Sequence, residues 1–530
     1  MLGKNYKDYI KSILISLGLL SIVYFYMLCN FWWGNHDWGY LKSGASIQSG
    51  LFEARYSQHL FTILFLDGHI LPIFAFLSGF ICIAIKSILI GKYFELPSKY
   101  WTIIALFIGI NPHIYALFYY VYLFFPFMVW SLFGVGLLFL FEGKIKWWKL
   151  CLAILGFVLV FGSYPPNLAF IFVLFIGKRI LFYVEGKEKF KDVFVRMIVF
   201  LVQILIAGFV YKILYNYLLG ANLINTDMYN IKTNSLVDII INLPVEFLRS
   251  ITQLFYGFSF MGLNYIITLS LIVFLGVTSV LWGAKNKYIT ILGLIVLFLA
   301  SRFAFIVSSH SEFAIFRLMY WGRLGIYVFC LVVLFKEKKK WLKNALFVLL
   351  GFFFFKFSIT NFEIQKNQNL GFVAGRLYQK RLLDTIISSK NYNKKDEYIS
   401  LNFGQPNFRE KFYSDKYNTG EMLGLNLVFE FDVANFLFWE ETKSPIIIGA
   451  GISGNSILRV DRDGKEKWWD RQYWSDNPEN MEKIRYWLYT EAEPYPSYKS
   501  VYVDDKYLIL VLDKLVFYKY RELVATSLDK

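Results

Sequence analysis

Between Trp32 and His59 the sequence places a carboxylate, two imidazoles and a guanidinium in one short polar stretch: His36, Asp37, Arg55 and His59. They stand among Trp32, Trp33, Trp38, Tyr40 and Tyr56. An interfacial belt, in which Trp and Tyr sit at headgroup level, would account for the aromatics. It does not account for Asp37, the only carboxylate within about fifteen residues on either side, or for Arg55. Trp33, Trp38 and Tyr40 around Asp37 are expected to exclude water and to raise its pKa modestly, as suits a general base. A guanidinium is shaped to hold a phosphate or carboxylate through two parallel bonds. Farther along, Asp67 falls about two turns into the next apolar run, while Arg302, Arg317 and Arg323 lie in or beside later ones. An ionisable group in such a run is costly and defaults to a paired or functional role. The bland alternative for the arginines is an ion pair inside a helix bundle, with Asp67 as a partner. For Asp37 it is a loop cap or a pair with Arg55.

The runs that must position these groups are long. The chain has 530 residues, of which 57% are hydrophobic and 18% charged. Apolar runs near 18 residues or longer span a hydrocarbon core of about 30 Å, and backbone in lipid must pair within its own segment, so these runs are read as helices. They fall near 11–31, 60–85, 100–112, 115–141, 147–162, 167–184, 196–219, 262–283, 287–307, 314–335 and 342–359. The first resembles a signal-peptide core, but it is too long, and bulky Asn30-Phe31-Trp32-Trp33 follows it; it is read as a retained helix.

Basic residues gather on alternate loops: Lys4/Lys7/Lys11, Lys86/Lys92/Lys99, Lys144/Lys146/Lys149, Lys178 to Arg196, Lys285/Lys287 and Lys336 to Lys343. The positive-inside rule makes that side cytoplasmic. The N-terminus is then inside, and the loops around 32–59, 111–114, 162–167, 220–261 and 308–313 are outside, with the C-terminal part. The net charge of +16 does not point to nucleic acid, because residues 1–359 hold 31 basic and 14 acidic side chains against 24 and 25 in 360–530. No basic patch interleaved with stacking aromatics accompanies the excess. Cys29, Cys82, Cys151 and Cys330 all lie in or beside apolar runs and report no compartment. The five histidines (His36, His59, His69, His113 and His310) fall on or near the outer side, but no ligand spacing such as His-x-x-x-His links them, and no metal is expected.

Residues 360–530 change character. β-prone stretches at Tyr398–Leu401, Pro445–Ile448, Val501–Val503 and Tyr507–Leu512 alternate with polar turns, and Asn477-Pro478 opens a helix to Tyr489. The fold class expected is an all-α polytopic membrane domain over 1–359, with about eleven transmembrane helices, followed by an α+β extracytoplasmic domain over 360–530.

Four stretches carry a family resemblance: His36-Asp37-Trp38-Gly39-Tyr40 through Gly44 to Ala54-Arg55; Leu66-Asp67-Gly68-His69-Ile70-Leu71-Pro72; Asn111-Pro112 with Leu117-Phe118-Tyr119-Tyr120; and Gly162-Ser163-Tyr164-Pro165. In order and placement they resemble the motifs of the bacterial glucosyltransferases that modify O-antigen and related cell-surface glycans, within the GT-C superfold. The resemblance covers about residues 1–335. Departures from the family's pattern are His36-Asp37 for two adjacent acids, Tyr164-Pro165 for its Tyr-Gln, and Val121-Tyr122-Leu123 for its Arg-Phe-Asp.

The resemblance implies transfer of a hexose, glucose in that family, from a polyprenyl-phosphate donor to a surface glycan. The reaction would take place outside the bacterial cytoplasmic membrane, with no nucleotide and no cofactor. Asp37 would be the catalytic base. His36, Arg55, His59, Asp67, Tyr164, Arg302, Arg317 and Arg323 would bind substrate, with the arginines stabilising the leaving phosphate. Two rivals stand beside this reading. A flippase or transporter of lipid-linked sugars would favour broken or charged helices near the midplane. Transfer of oligosaccharide to protein is the other, since Trp468-Trp469-Asp470 is similar to an oligosaccharyltransferase motif, although Arg471-Gln472 does not continue it. An amphipathic stretch at Leu236–Phe247 either lies in the interface over a donor groove or simply connects spans.

Overall fold

The computed structural model describes residues 2–30, 44–47, 51, 55–111, 114, 121–144, 146–221, 236–256, 263–307, 321–389, 391, 398–403, 446–448, 458–460, 466–468, most of 483–511, and 518. They are mostly helical and divide into two compact units that part at Lys366/Asn367.

In the first unit the apolar runs form helices α1 (Leu2–Val23), α2 (Phe25–Cys29), α3 (Leu60–Leu66), α4 (Pro72–Tyr93), α5 (Trp101–Gly109), α6 (Val121–Leu137) and α7 (Trp147–Phe161). They continue as α8 (Pro166–Val184), α9 (Phe190–Gly220), α10 (Leu236–Tyr256), α11 (Leu263–Gly283), α12 (Lys287–Ser301), α13 (Phe303–Val307), α14 (Trp321–Lys336) and α15 (Lys340–Ile387), the last running on into the second unit. Among the described residues, Pro72–Tyr93, Val121–Phe141, Pro166–Val184, Phe190–Leu218 and Lys340–Lys366 are long and apolar enough to cross a membrane. That is five, where the sequence suggested about eleven. The difference lies largely in shorter helices such as α7 and α12 and in runs that the backbone interrupts.

The centre of this unit is the pair α8 and α14, buried from Pro166 to Phe182 and from Trp321 to Phe335. Small residues let the helices close in. A Cβ on Gly322 would lie 2.3 Å from the Ser301 carbonyl oxygen and 2.8 Å from Ala169 Cβ, so α8, α12 and α14 meet there. Helix α9 instead exposes Phe194, Ile198, Leu201, Leu205, Phe209 and Ile213, a surface that suits acyl chains rather than water.

The breaks are specific. The second apolar run is two helices, not one. Helix α3 ends at Asp67, which adopts a left-handed φ of 48°, and Gly68 follows at 79°. The Gly68 carbonyl accepts from the Ala45 N–H at 2.7 Å, and a Cβ on Gly68 would stand 2.3 Å from the Ala45 oxygen, so only glycine fits. Backbone groups freed at other breaks are met by side chains, from α15 and from Tyr24. Gln365 Oε1 accepts from Met27 N–H at 3.0 Å while its Nε2 donates to Val23 O at 3.1 Å, which stitches the α1–α2 kink. Tyr24 OH donates to Gly109 O at 2.7 Å where α5 ends. Such pairing is obligatory where no water reaches.

Two basic residues assigned to loops from the sequence are inside helices. Lys86 is fully buried in α4 and Lys178 is buried in α8. Lys178 and Arg179 pair with Glu142, and Arg179 also pairs with Glu188, at the C-terminal end of α8. Around the same end Lys187 joins Glu95 and Glu185, and Lys336 joins Glu185.

In the second unit, strands β1 (Tyr398–Phe403), β2 (Ile446–Ile448), β5 (Val501–Val503) and β6 (Tyr507–Val511) form a sheet in the order β2-β1-β6-β5. Strand β1 is parallel to both neighbours, whereas β5 and β6 are antiparallel. Strands β3 (Leu458–Val460) and β4 (Glu466–Trp468) pair as an antiparallel hairpin. Strands β1, β2, β5 and β6 fall on the β-prone stretches named from the sequence, β3 and β4 do not, and Lys483, Tyr486, Trp487, Tyr489 and Thr490 are helical. Trp469 and Asp470 lie outside the described residues.

Candidate functional site

The end of the bundle where α8 begins gathers most of the described candidates. Residues 55–59 dock there as a turn against the end of α7. Ser57 N–H donates to Gly162 O at 2.9 Å, Tyr56 OH donates to Val158 O at 2.8 Å, and Trp130 Nε1 donates to Ser57 O at 2.9 Å. Gly162 is required for the fit, since a Cβ there would lie 2.2 Å from Tyr56 Cζ. This docking places the Arg55 guanidinium 4.6 Å from the centroid of the Tyr164 ring, within cation–π range.

Behind Arg55 runs a short polar relay. Arg55 Nη1 donates to Gln58 Oε1 at 3.4 Å, a long bond, and Gln58 Nε2 lies 3.0 Å from His59 Nε2. With the amide in this orientation Gln58 donates to the imidazole, which requires that nitrogen to be unprotonated. Burial, reinforced by the Arg55 charge, pushes His59 down to about 3, in agreement with a neutral ring. His59 is 1% exposed and its ring lies 5.9 Å from that of Tyr122. Its place is beneath Arg55 and Gln58, where it fixes their orientation.

From Tyr164 the aromatic floor continues through Phe127 (5.6 Å) to Trp321 (4.9 Å). Trp321 presents its face to Lys86, whose Nζ is 5.0 Å from that ring and 5.2 Å from the Phe170 ring, and which donates to Ser131 Oγ at 3.1 Å. From the sequence, Lys86 reads as a loop residue beside Lys92 and Lys99. The signal for a helix was there: Ser87-Ile88-Leu89-Ile90 carry the apolar run past it.

Arg302 and Arg323 reach the same end, through the contact of Gly322 with Ser301 and Ala169. Arg302 stands at the break between α12 and α13, and its partner is Glu246 of α10, not Asp67. Nε and Nη2 reach Glu246 Oε2 at 2.8 and 2.7 Å, and Phe305 packs 4.1 Å beneath the guanidinium. Arg323 is buried in the first turn of α14, one turn before Tyr327. Asp67 is exposed at the end of α3 and is not within a helix, as the sequence had suggested. His36, Asp37 and Arg317 lie outside the described residues.

The geometry thus brings together Arg55 and Tyr164, from the first and fourth motif stretches, over a buried aromatic floor. A guanidinium beside a ring and a carboxamide is suited to a bidentate anion such as phosphate. Among the described residues, no group of three or more His, Cys, Asp or Glu could hold a metal ion. No protein family, curated protein or solved structure matches the chain.

Proposed function

We propose that the chain is a GT-C-type glycosyltransferase of the bacterial cytoplasmic membrane, with about eleven crossings when the shorter apolar helices are counted. It moves a hexose, glucose by resemblance, from polyprenyl phosphate to a cell-surface glycan on the outer face. The N-terminus is cytoplasmic, and the domain over 360–530 lies outside and helps to recognise the acceptor. The observation that carries this reading is the meeting of Arg55 with Tyr164, from motif stretches more than a hundred residues apart. Asp37 takes the proton of the acceptor hydroxyl as that oxygen bonds to the anomeric carbon. The bond from that carbon to the phosphate oxygen breaks, its electron pair leaves on polyprenyl phosphate, and Arg55 holds the departing anion.

Transport of a lipid-linked sugar is the second reading. Buried Lys86 and the interrupted helices favour it, since such features mark translocation paths. Sealed proteoliposomes carrying labelled polyprenyl-phosphate hexose separate the two. The transferase converts donor to polyprenyl phosphate when a glycan acceptor is added outside. A transporter moves intact donor between leaflets and leaves the sugar on its lipid.

A further inference from the structure

Two short turns, one between α11 and α12 and the other between α14 and α15, are tied together. Glu337 Oε2 accepts from the Ser279 hydroxyl of α11, and Lys339 Nζ lies 4.1 Å from the centroid of the Trp282 ring. Lys336 pairs with Glu185, which fixes both turns beside the C-terminal end of α8. The joined turns place five exposed lysines at this end of the bundle: Lys285, Lys287, Lys338, Lys339 and Lys340. Glu337 is the only acidic residue in 279–287 and 336–343, and its carboxylate is already occupied. Besides the Ser279 bond, its Oε1 accepts from the Lys338 N–H at 2.8 Å and the Lys339 N–H at 3.1 Å. Among the described residues, none of the five lysines forms an ion pair with a carboxylate.

Charge and apolar surface share the same helix faces here. On α15 the exposed residues Lys340, Asn344, Phe347, Val348 and Phe355 fall on one side by helical spacing. On α12, Lys287 heads a face on which Tyr288, Ile291 and Leu292 are exposed. Trp282, Tyr288 and Trp341 are exposed beside the lysines, and such amphipathic rings belong at headgroup level. We propose that the joined turns form a binding surface for an anionic phospholipid of the adjoining leaflet. The lysines hold the headgroup, Trp282 seats Lys339, and the acyl chains lie along the exposed faces of α12 and α15. Each lysine near an anionic membrane surface contributes about fivefold in affinity, a gain that a zwitterionic headgroup does not supply. With the basic loops inside, this leaflet is the cytoplasmic one, on the opposite side from Arg55 and Tyr164. The surface rests on the charge and the exposed helix faces, not on the glycosyltransferase reading.

Native mass spectrometry of the purified full chain, titrated in detergent with phosphatidylglycerol or phosphatidylcholine, reads this surface directly. Wild type should bind phosphatidylglycerol at least about tenfold more tightly than phosphatidylcholine. The triple variant Lys338→Gln/Lys339→Gln/Lys340→Gln should lose about tenfold or more of that affinity. Lys285→Gln/Lys287→Gln, in the other turn, should lose several-fold, with phosphatidylcholine binding unchanged in both variants. The control Lys144→Gln/Lys146→Gln/Lys189→Gln removes the same charge from exposed positions in other basic loops. It should change phosphatidylglycerol binding by less than about twofold, because the attraction fades within a Debye length. An equal loss in the control would reduce the effect to diffuse charge and overturn the proposal. Retention of the lipid preference in both test variants overturns it as well, and where the triple variant fails to fold, the double variant decides. Displacement of phosphatidylglycerol by inorganic phosphate as readily as by the lipid itself overturns the assignment to a membrane lipid.

Discussion

Arg55 derives its meaning from what holds it. The guanidinium lies 4.6 Å from the Tyr164 ring centroid and donates to Gln58, and a lysine cannot reproduce its planar fork. Arg55→Lys should therefore lose about tenfold or more in turnover of polyprenyl-phosphate donor, despite keeping the charge. Equal activity in Arg55→Lys and Arg55→Ala at normal expression would make Arg55 a bystander. His59 yields a stability test. Its folded value of about 3 lies below that of free imidazole, about 6.5, so between them the unfolded chain binds a proton that the folded chain refuses. The stability linked to neutral His59 is complete above about pH 6.5 and is lost as pH falls toward 3. Melting temperatures in detergent from pH 7.5 down to 4.5 should fall less steeply for His59→Gln than for wild type; equal slopes would contradict the placement. Asp37, the base in this account, is best tested by Asp37→Asn, which preserves size but cannot accept a proton. It should bind the lipid donor yet lose on the order of a hundredfold in turnover. Turnover within about threefold of wild type would rule out the mechanism.

At the scale of elements, hydropathy told most and sequence breaks told less. The long apolar runs became α4, α6, α8, α9 and α15 because backbone in a waterless bundle must pair with itself. The break at Asp67 had a local signal in Asp67-Gly68 and Pro72, but its geometry depends on Ala45, which arrives from elsewhere to donate to the Gly68 carbonyl. The sequence could not pair Arg302 with Glu246, since partners 56 residues apart leave no local trace. Arg55 and Tyr164 were each legible as motif residues, but their contact depends on residues 55–59 docking on Gly162. The stitching by α15 is similarly non-local and testable. Gln365→Ala leaves Met27 N–H and Val23 C=O without their side-chain partner and should cost roughly 1–3 kcal/mol in unfolding free energy. Lys366→Ala, on the exposed face one residue on, is the control and should change little. Equal melting of the two variants would show that the kink needs no stitch.

For the whole molecule, the ion-paired end where Glu142, Lys178, Arg179 and Glu188 meet lies at the far end of α8 from Arg55 and Tyr164. The two ends of α8 thus differ in chemistry, one closed by ion pairs and the other carrying the Arg55–Tyr164 contact. If the basic loops are cytoplasmic, residues 360–530 are outside, and cysteines introduced at Ser414 and Ser475 should react with an impermeant maleimide in intact cells; labelling only after lysis would reverse the orientation. The most direct measurement removes the bilayer altogether. Purified chain in detergent, given synthetic polyprenyl-phosphate hexoses and a glycan acceptor, should release polyprenyl phosphate in step with hexosylated acceptor, and Asp37→Asn should abolish both. Intact donor after prolonged incubation with folded protein and a full panel of hexoses and acceptors would contradict the account.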